Sequence, residues 1–200
     1  MKKNRLVFVY FVIVLVVGVF LWQHFNSQQS SISLGGISSI VNIPAPSEWY
    51  SWGETKLPLG GSTPTTVTIT FGNQPRDNNG NNSTTLIVVT ARNSSSNTEE
   101  QWIDTELNPM LASLESATST QSWEVMNGRR VLEAETLTPA GAYNLTYFFF
   151  DNGTEYSFNL APAFLAPEYS AKNLASSSDA QVLRSMVQQF VQSFPNSVSQ

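Results

Sequence analysis

Apolar and polar residues alternate from Tyr143 to Ala161, on both sides of an Asn152-Gly153 dipeptide. That dipeptide suits a two-residue type I′ turn, in which both central residues take φ > 0. The turn fixes a register: Phe149 opposite Tyr156, Tyr147 opposite Phe158, and Leu145 opposite Leu160. All six fall on one face, as a period of two requires. The other face carries Asn144, Thr146, Ser157 and Asn159, then Phe148 and Phe150 near the turn. The same reasoning at Asn127-Gly128 predicts a hairpin from Gln121 to Leu137, pairing Trp123 with Leu132 and Val125 with Arg130. Its opposite face, Glu124, Val131, Glu133 and Glu135, is expected to be mostly solvated. Thr138 to Ala142 would join the two hairpins into an antiparallel meander.

Upstream, Thr65 to Phe71 alternates as a strand with Val67, Ile69 and Phe71 on one face. Thr84 to Arg92 is apolar on both faces in its middle, which suits a strand central in its sheet. The period then changes. Trp102, Ile103, Leu107, Met110, Leu111 and Leu114 recur at helical spacing. A capping box opens that helix, either Thr98 with Gln101 or Asn97 with Glu100, and Pro109 should kink or split it. A last helix is expected from about Ser178-Asp179 to Phe194, before Pro195. Its stripe is Val182, Leu183, Met186, Val187, Phe190, Val191 and Phe194. The fold class predicted is α+β: an antiparallel β-sheet flanked by helices, the simplest way to bury every stripe.

A different pattern opens the chain. Leu6 to Trp22 carries no charge and follows Lys2, Lys3 and Arg5. As a helix this run would span ~25 Å, and Gln23 to Phe25 extend it to ~30 Å, the thickness of a bilayer core. The basic cluster should stay in the cytoplasm and the C-terminal bulk outside, with Trp22 and His24 at the outer interface. A cleaved signal peptide is the rival reading, but the run is long for an h-region and no A-x-A-like site follows it closely. A type IV pilin would also begin with an apolar helix, yet its processing motif and its acidic residue are missing. The expected layout is a cytoplasmic basic tail (1–5), a transmembrane signal-anchor helix (6–25), a flexible Ser/Gln/Gly linker (26–39) and an extracytoplasmic domain (40–200). Ile37, Ile40, Val41 and Ile43 could already contribute to a first strand. This makes a single-pass protein of the cell membrane, with the lipid bilayer as one partner.

Composition narrows the chemistry. With no cysteine there is no disulfide framework, no thiolate metal site and no lipobox. Of 10 basic residues, Lys2, Lys3 and Arg5 precede the apolar run, leaving 7 against 15 acidic, a net of −8. Such a domain repels phosphate backbones, so nucleic acid is not an expected partner. His24 is the single histidine, which removes His-based triads, Cys–His dyads and His-rich zinc sites from the domain. Lys56 and Lys172 lack the S-x-x-K spacing of a Ser–Lys dyad. Arg76 to Asn82 has some features of a calcium loop, but Asn82 stands where glycine should and one carboxylate is too few. Glu133 and Glu135 share a strand face, as paired acids in a glycosidase could, with no apolar pocket evident around them. Asn81, Asn82, Asn93, Asn144 and Asn152 each begin an N-x-[S/T] triplet.

Local words in this order resemble the PsbP-like/Mog1-like superfamily. They are Ile43-Pro44 with Ser47-Glu48-Trp49, then Val88 to Ala91 leading to Glu100-Gln101-Trp102. The Val125 to Arg129 turn, the Tyr147 to Phe158 hairpin and the closing Ser193-Phe194 follow. The resemblance covers roughly Ile40 to Pro195. It implies a PsbP-like α/β/α sandwich and a role in binding partners or assisting assembly, with no catalytic residue set to carry over.

The function expected is therefore a membrane-tethered, extracytoplasmic, non-enzymatic binding or assembly module with a protein partner. The alternative is a small-ligand carrier or sensor with a pocket between sheet and helix. A third reading, a hydrolase using carboxylates alone, needs two acids facing one cleft. No catalytic, cofactor-binding or metal-ligating residue is assigned. Phe148, Phe150, Trp49 and Trp52 are the candidate partner or ligand surface, set against the favoured readings: core packing for the tryptophans and burial under a helix for the two phenylalanines.

Overall fold

Both Asn-Gly dipeptides turn the chain with positive φ: 50° and 77° at Asn127-Gly128, 48° and 76° at Asn152-Gly153. The registers they dictate are the registers observed. Phe149 pairs with Tyr156, Tyr147 with Phe158 and Leu145 with Leu160; Trp123 pairs with Leu132 and Val125 with Arg130. The computed structural model describes residues 30–33, 40–43, 46–57, 65–76, 84–114, 119–137, 143–161 and 174–194. Seven of its strands form one antiparallel sheet: β3 (Tyr50–Leu57), β4 (Thr66–Gly72), β5 (Leu86–Asn93), β6 (Ser119–Met126), β7 (Arg129–Leu137), β8 (Tyr143–Asp151) and β9 (Thr154–Ala161). Their order is β3-β4-β5-β9-β8-β7-β6, so β3 and β6 are the edges. A separate two-stranded sheet pairs β1 (Ser30–Ser33) with β2 (Ile40–Ile43). The first of these lies in the stretch read as a flexible linker.

The helices follow their local signals. Thr98 caps α1 (Glu99–Trp102) by accepting from the Gln101 amide at 3.2 Å, while the Gln101 side chain accepts from the Asn97 amide at 3.0 Å. The chain then passes through a π turn (Ile103–Leu107) into α2 (Asn108–Leu114). In that wider turn the Asn108 amide bonds to the Ile103 carbonyl. Pro109, which has no N–H and whose ring would press on the preceding turn of an α-helix, follows directly. The expected kink is thus a change of winding, and the extra residue keeps Leu107 on the buried side with Trp102. Ser177 caps α3 (Ser178–Gln192), accepting from the Ala180 amide at 3.1 Å.

Each face of the sheet has its own core. On one, α3 lays Leu183, Met186, Val187, Phe190 and Val191 over Val67, Ile69, Phe71, Ile87, Val89, Leu145, Phe149, Phe158 and Leu160. Phe149 stands at the centre of this layer, with Tyr156 at 4.9 Å, Phe190 at 5.8 Å, Phe194 at 6.0 Å and Phe158 at 6.3 Å between ring centroids. Those are separations at which aromatic pairs attract beyond their buried area. On the other face, Trp102, Leu107 and Leu111 cover Leu132, Ala134 and Phe148. Farther along that face Thr66, Thr68, Thr70 and Thr90 are half-buried, and the Thr68 and Thr90 hydroxyls are 3.2 Å apart.

One expectation is reversed. Glu124, Val131, Glu133 and Glu135 do not form a solvated face. Val131 is fully buried in the core beneath α3, and the three glutamates are only partly exposed. β7 is apolar on both sides because it lies under α3 on one face and under α1–α2 on the other. The exposed side is the end of the face thought to point inward, at Trp123 and Val125. Among the described residues no helix is long and apolar enough to cross a membrane. The stretch read as a transmembrane helix (6–25), His24, the calcium-like loop from residue 77, Lys172, Asn81 and Asn82 lie outside the described residues.

Candidate functional site

The two edges of the large sheet are built differently. An edge strand exposes unpaired N–H and C=O groups, and proteins ordinarily blunt it with a bulge, a charge or a twist. β3 is blunted. Its register with β4 shifts between Ser51 and Gly53, where Gly53 takes φ 130°, and Glu54 and Lys56 form a salt bridge at 3.1 Å along it. β6 has no bulge, and its one charge, Glu124, is on the α3 side and paired with Arg184. Its register with β7 runs without a shift from Ser119 to Met126, and it contains no glycine, proline or lysine.

This open edge also exposes apolar side chains. Val125 is 72% exposed and Trp123 40%. Both lie on the face carrying Leu132 and Phe148, since Trp123 pairs with Leu132 and Leu132 with Phe148. The Arg130 guanidinium lies 4.6 Å from the Trp123 ring centroid, a cation–π contact that holds the indole in place. Glu99, in the first turn of α1, is near Arg130. Burial raises its carboxyl above the usual range, partly offset by Arg130 and reinforced by Glu100. On the α3 side of the same strand, Glu124 accepts from Arg184 at 2.6 Å. Arg184 also lies 4.0 Å from Glu133, which accepts the Tyr147 hydroxyl at 2.5 Å. Burial, with the hydrogen bond to Glu133 next, raises the Tyr147 phenol well above its ordinary value. Glu135 is also raised, by burial and by its neighbour Glu133. The two acids considered as a catalytic pair are thus differently placed, Glu133 being committed to Tyr147 and Arg184.

Two further polar groupings fasten the fold. The Glu155 carboxylate, on the sheet, accepts from both the Trp102 indole and Arg92 at 2.8 Å, tying α1 to β9 and β5. One oxygen of Glu106 accepts from the Ser94 hydroxyl at 2.5 Å, the Ser96 hydroxyl at 2.8 Å, and the Ser95 hydroxyl and amide at 3.0 and 3.1 Å. Burial would raise this carboxyl, but the serine donors and Arg92 outweigh it, and it is held below the usual range. At the two hairpin ends, Arg129 bonds to Asp151 at 2.9 Å and lies 5.1 Å from the Phe194 ring centroid.

The four residues considered as a partner or ligand surface do not come together, and the favoured reading, burial, holds for Phe148 and Trp49. Phe148 is buried, 7% exposed, under α1–α2. Phe150 is half-buried and stacks on Trp102 at 5.7 Å. Trp49 is buried in the core on the other face. Trp52 is half-buried, its indole donating to the Gln74 carbonyl at 2.9 Å. Trp123, Val125 and Arg130 were not singled out as a site. The Asn127-Gly128 register had already put them on one face, and their position at the end of the strand order was the missing fact.

An open groove of about 620 Å³ lies between Pro46-Ser47 and the outer side of α3, lined by Gln181, Val182, Ser185, Met186 and Gln189. Its lining among the described residues carries no charge. Among the described residues no group of three His, Cys, Asp or Glu side chains could hold a metal ion. A scan of protein-family models found none that matches the chain, and a search of curated proteins found no match.

Proposed function

We propose that this chain is a membrane-tethered, extracytoplasmic binding or assembly module, not an enzyme, and that it works by accepting an extended segment along β6. The carrying observation is the contrast between the two sheet edges. β3 is bulged and charged, whereas β6 is regular and flanked by exposed Trp123 and Val125. Strand addition draws affinity from main-chain hydrogen bonds and specificity from alternate side chains, and β6 offers both. The tether belongs to the same proposal and rests on the uncharged run from Leu6 to Trp22 behind Lys2, Lys3 and Arg5. So does the finer fold assignment, a PsbP-like α/β/α sandwich behind one transmembrane helix. What supports the sandwich is cover by helices on both faces of one antiparallel sheet.

The test is co-purification of the full-length chain, extracted gently in detergent from cells that also carry a differently tagged copy, compared with its Val125→Lys variant. A lysine on the outward face of β6 should strip the specific partner while leaving the fold intact by circular dichroism. Turnover of any substrate, abolished by one point change, would defeat the proposal. A second reading, a carrier of an uncharged small ligand, is favoured by the groove beside α3. It predicts a bound molecule in native mass spectra that Gln181→Ala removes.

A further inference from the structure

We infer that the segment received by β6 is β6 of a second copy of this chain, antiparallel about a two-fold axis through Trp123. This rests on the tethered-module reading and names its partner. A two-residue type I′ hairpin closes on a pair that exchanges both backbone hydrogen bonds, here Met126 with Arg129. Pairing alternates along an antiparallel ladder. Glu124 and Ser122 therefore turn their peptide groups toward β7, and Gln121, Trp123 and Val125 turn theirs outward. The outward set is what a new strand would meet.

Charge and side-chain size choose among the two-fold registers. An axis at Glu124 would place Glu124 against its own copy, and like charges directly opposite destabilise a strand pair. An axis at Trp123 places Glu124 opposite Ser122 and Val125 opposite Gln121. It also sets the two indoles face to face across the axis, and it pairs most of the strand, from Thr120 to Met126. An axis at Ser122 opposes no like charges either, but it sets each indole against Gln121 and forfeits the aromatic pair. On the other side of the strand, Arg184 bonds to Glu124 at 2.6 Å but is shared with Glu133 at 4.0 Å, so in a Glu124–Glu124 pairing the carboxylates would outnumber their cations. With the axis at Trp123 the result would be one continuous sheet through both copies, with the bulged β3 strands at its outer ends.

The edge alone is small beside the about 800 Å² per partner of a standard interface. Two such chains pair weakly in dilute solution. Confinement to one membrane raises their effective concentration without any new contact, so pairing is strongest where the chains share a bilayer.

Absence of cysteine makes the test clean. Full-length chains carrying Trp123→Cys, Ser122→Cys, Gln121→Cys or Val125→Cys would be reconstituted in phosphatidylcholine vesicles. Each would be oxidised with copper phenanthroline and run on non-reducing gels. Trp123→Cys should give a covalent dimer at least several-fold above Ser122→Cys. Gln121→Cys and Val125→Cys should cross-link when mixed and far less when alone. Uniform cross-linking at all four positions, or none, overturns the pairing. Because Trp123→Cys loses the Arg130 stack, the mixed Gln121/Val125 experiment decides the matter independently, and circular dichroism checks each fold. Carbonate extraction of the same vesicles tests the tether separately. Chains released by carbonate would sink the tethered reading, while the cross-linking pattern still judges the strand pairing.

Discussion

Removing one oxygen from Tyr147 should change the pH dependence of stability in a way that can be worked out in advance. The Tyr147 ring is buried, 2% exposed, and its hydroxyl donates to Glu133 at 2.5 Å. Tyr147→Phe keeps the ring and loses the donor. A hydrogen bond to a charged group contributes about 1.5–3 kcal/mol. Glu133 retains some exposure and has Arg184 nearby, so water can replace the lost donor and the low end applies. At pH 7 the variant should be about 1.5–2 kcal/mol less stable. The phenol is raised in the folded protein by burial first and then by Glu133. Stability linked to a raised group is fully present below the unfolded value, about 10 for tyrosine. It is lost as pH climbs from there toward the folded value. The wild type should therefore lose about 1.4 kcal/mol per pH unit above 10 that the phenylalanine variant does not lose. Tyr156, pushed up to about 12 chiefly by burial, titrates in both proteins and cancels from the difference. The advantage of the hydroxyl is exhausted about 1.1–1.4 units above 10, so the two stability curves should cross between about pH 11 and 11.5. Urea midpoints by far-UV circular dichroism from pH 7 to 11.5 measure this directly. Parallel curves over that range, or a variant more stable at pH 7, would refute the reasoning.

Three other outcomes follow from the geometry. The Glu106 carboxyl is lowered, so it adds stability above the usual carboxylate range that is lost as pH falls through its folded value. The difference in melting temperature between wild type and Glu106→Gln should narrow between pH 6 and 3, and a constant difference would contradict the serine-donor account. Trp102→Phe leaves the buried Glu155 carboxylate with Arg92 alone. It should cost about 1.5–3 kcal/mol in urea unfolding, and a loss no larger than a surface substitution would show that the indole bond does not hold α1 on the sheet. A Cβ at Gly72 would stand 2.5 Å from the Trp52 ring. Gly72→Ala should therefore cost about 1–3 kcal/mol, and most of that penalty should vanish in a Trp52→Ala background.

By itself the sequence determined what is local. Two Asn-Gly turns fixed the cross-strand partners of both hairpins, because a two-residue turn leaves one register and the period of two then sorts the side chains. The stripe from Val182 to Phe194 fixed the buried side of α3 in the same way, and the start of α1 was narrowed to a cap at Asn97 or Thr98, of which the structure uses Thr98. β3 escaped notice because its bulge at Gly53 resets the alternation and its residues are nearly all exposed. Tertiary structure alone decided which side of the β6–β7 hairpin is covered. β7 is apolar on both faces around Val131 and Leu132, so its pattern fits either orientation until α3 and α1–α2 have landed. It alone brought Trp102 to Glu155, 53 residues apart. Above all it decided that β6 ends the sheet and that β9 pairs with β5. An edge is a property of strand order, set by long-range pairing, and no residue of Ser119 to Met126 carries that information locally.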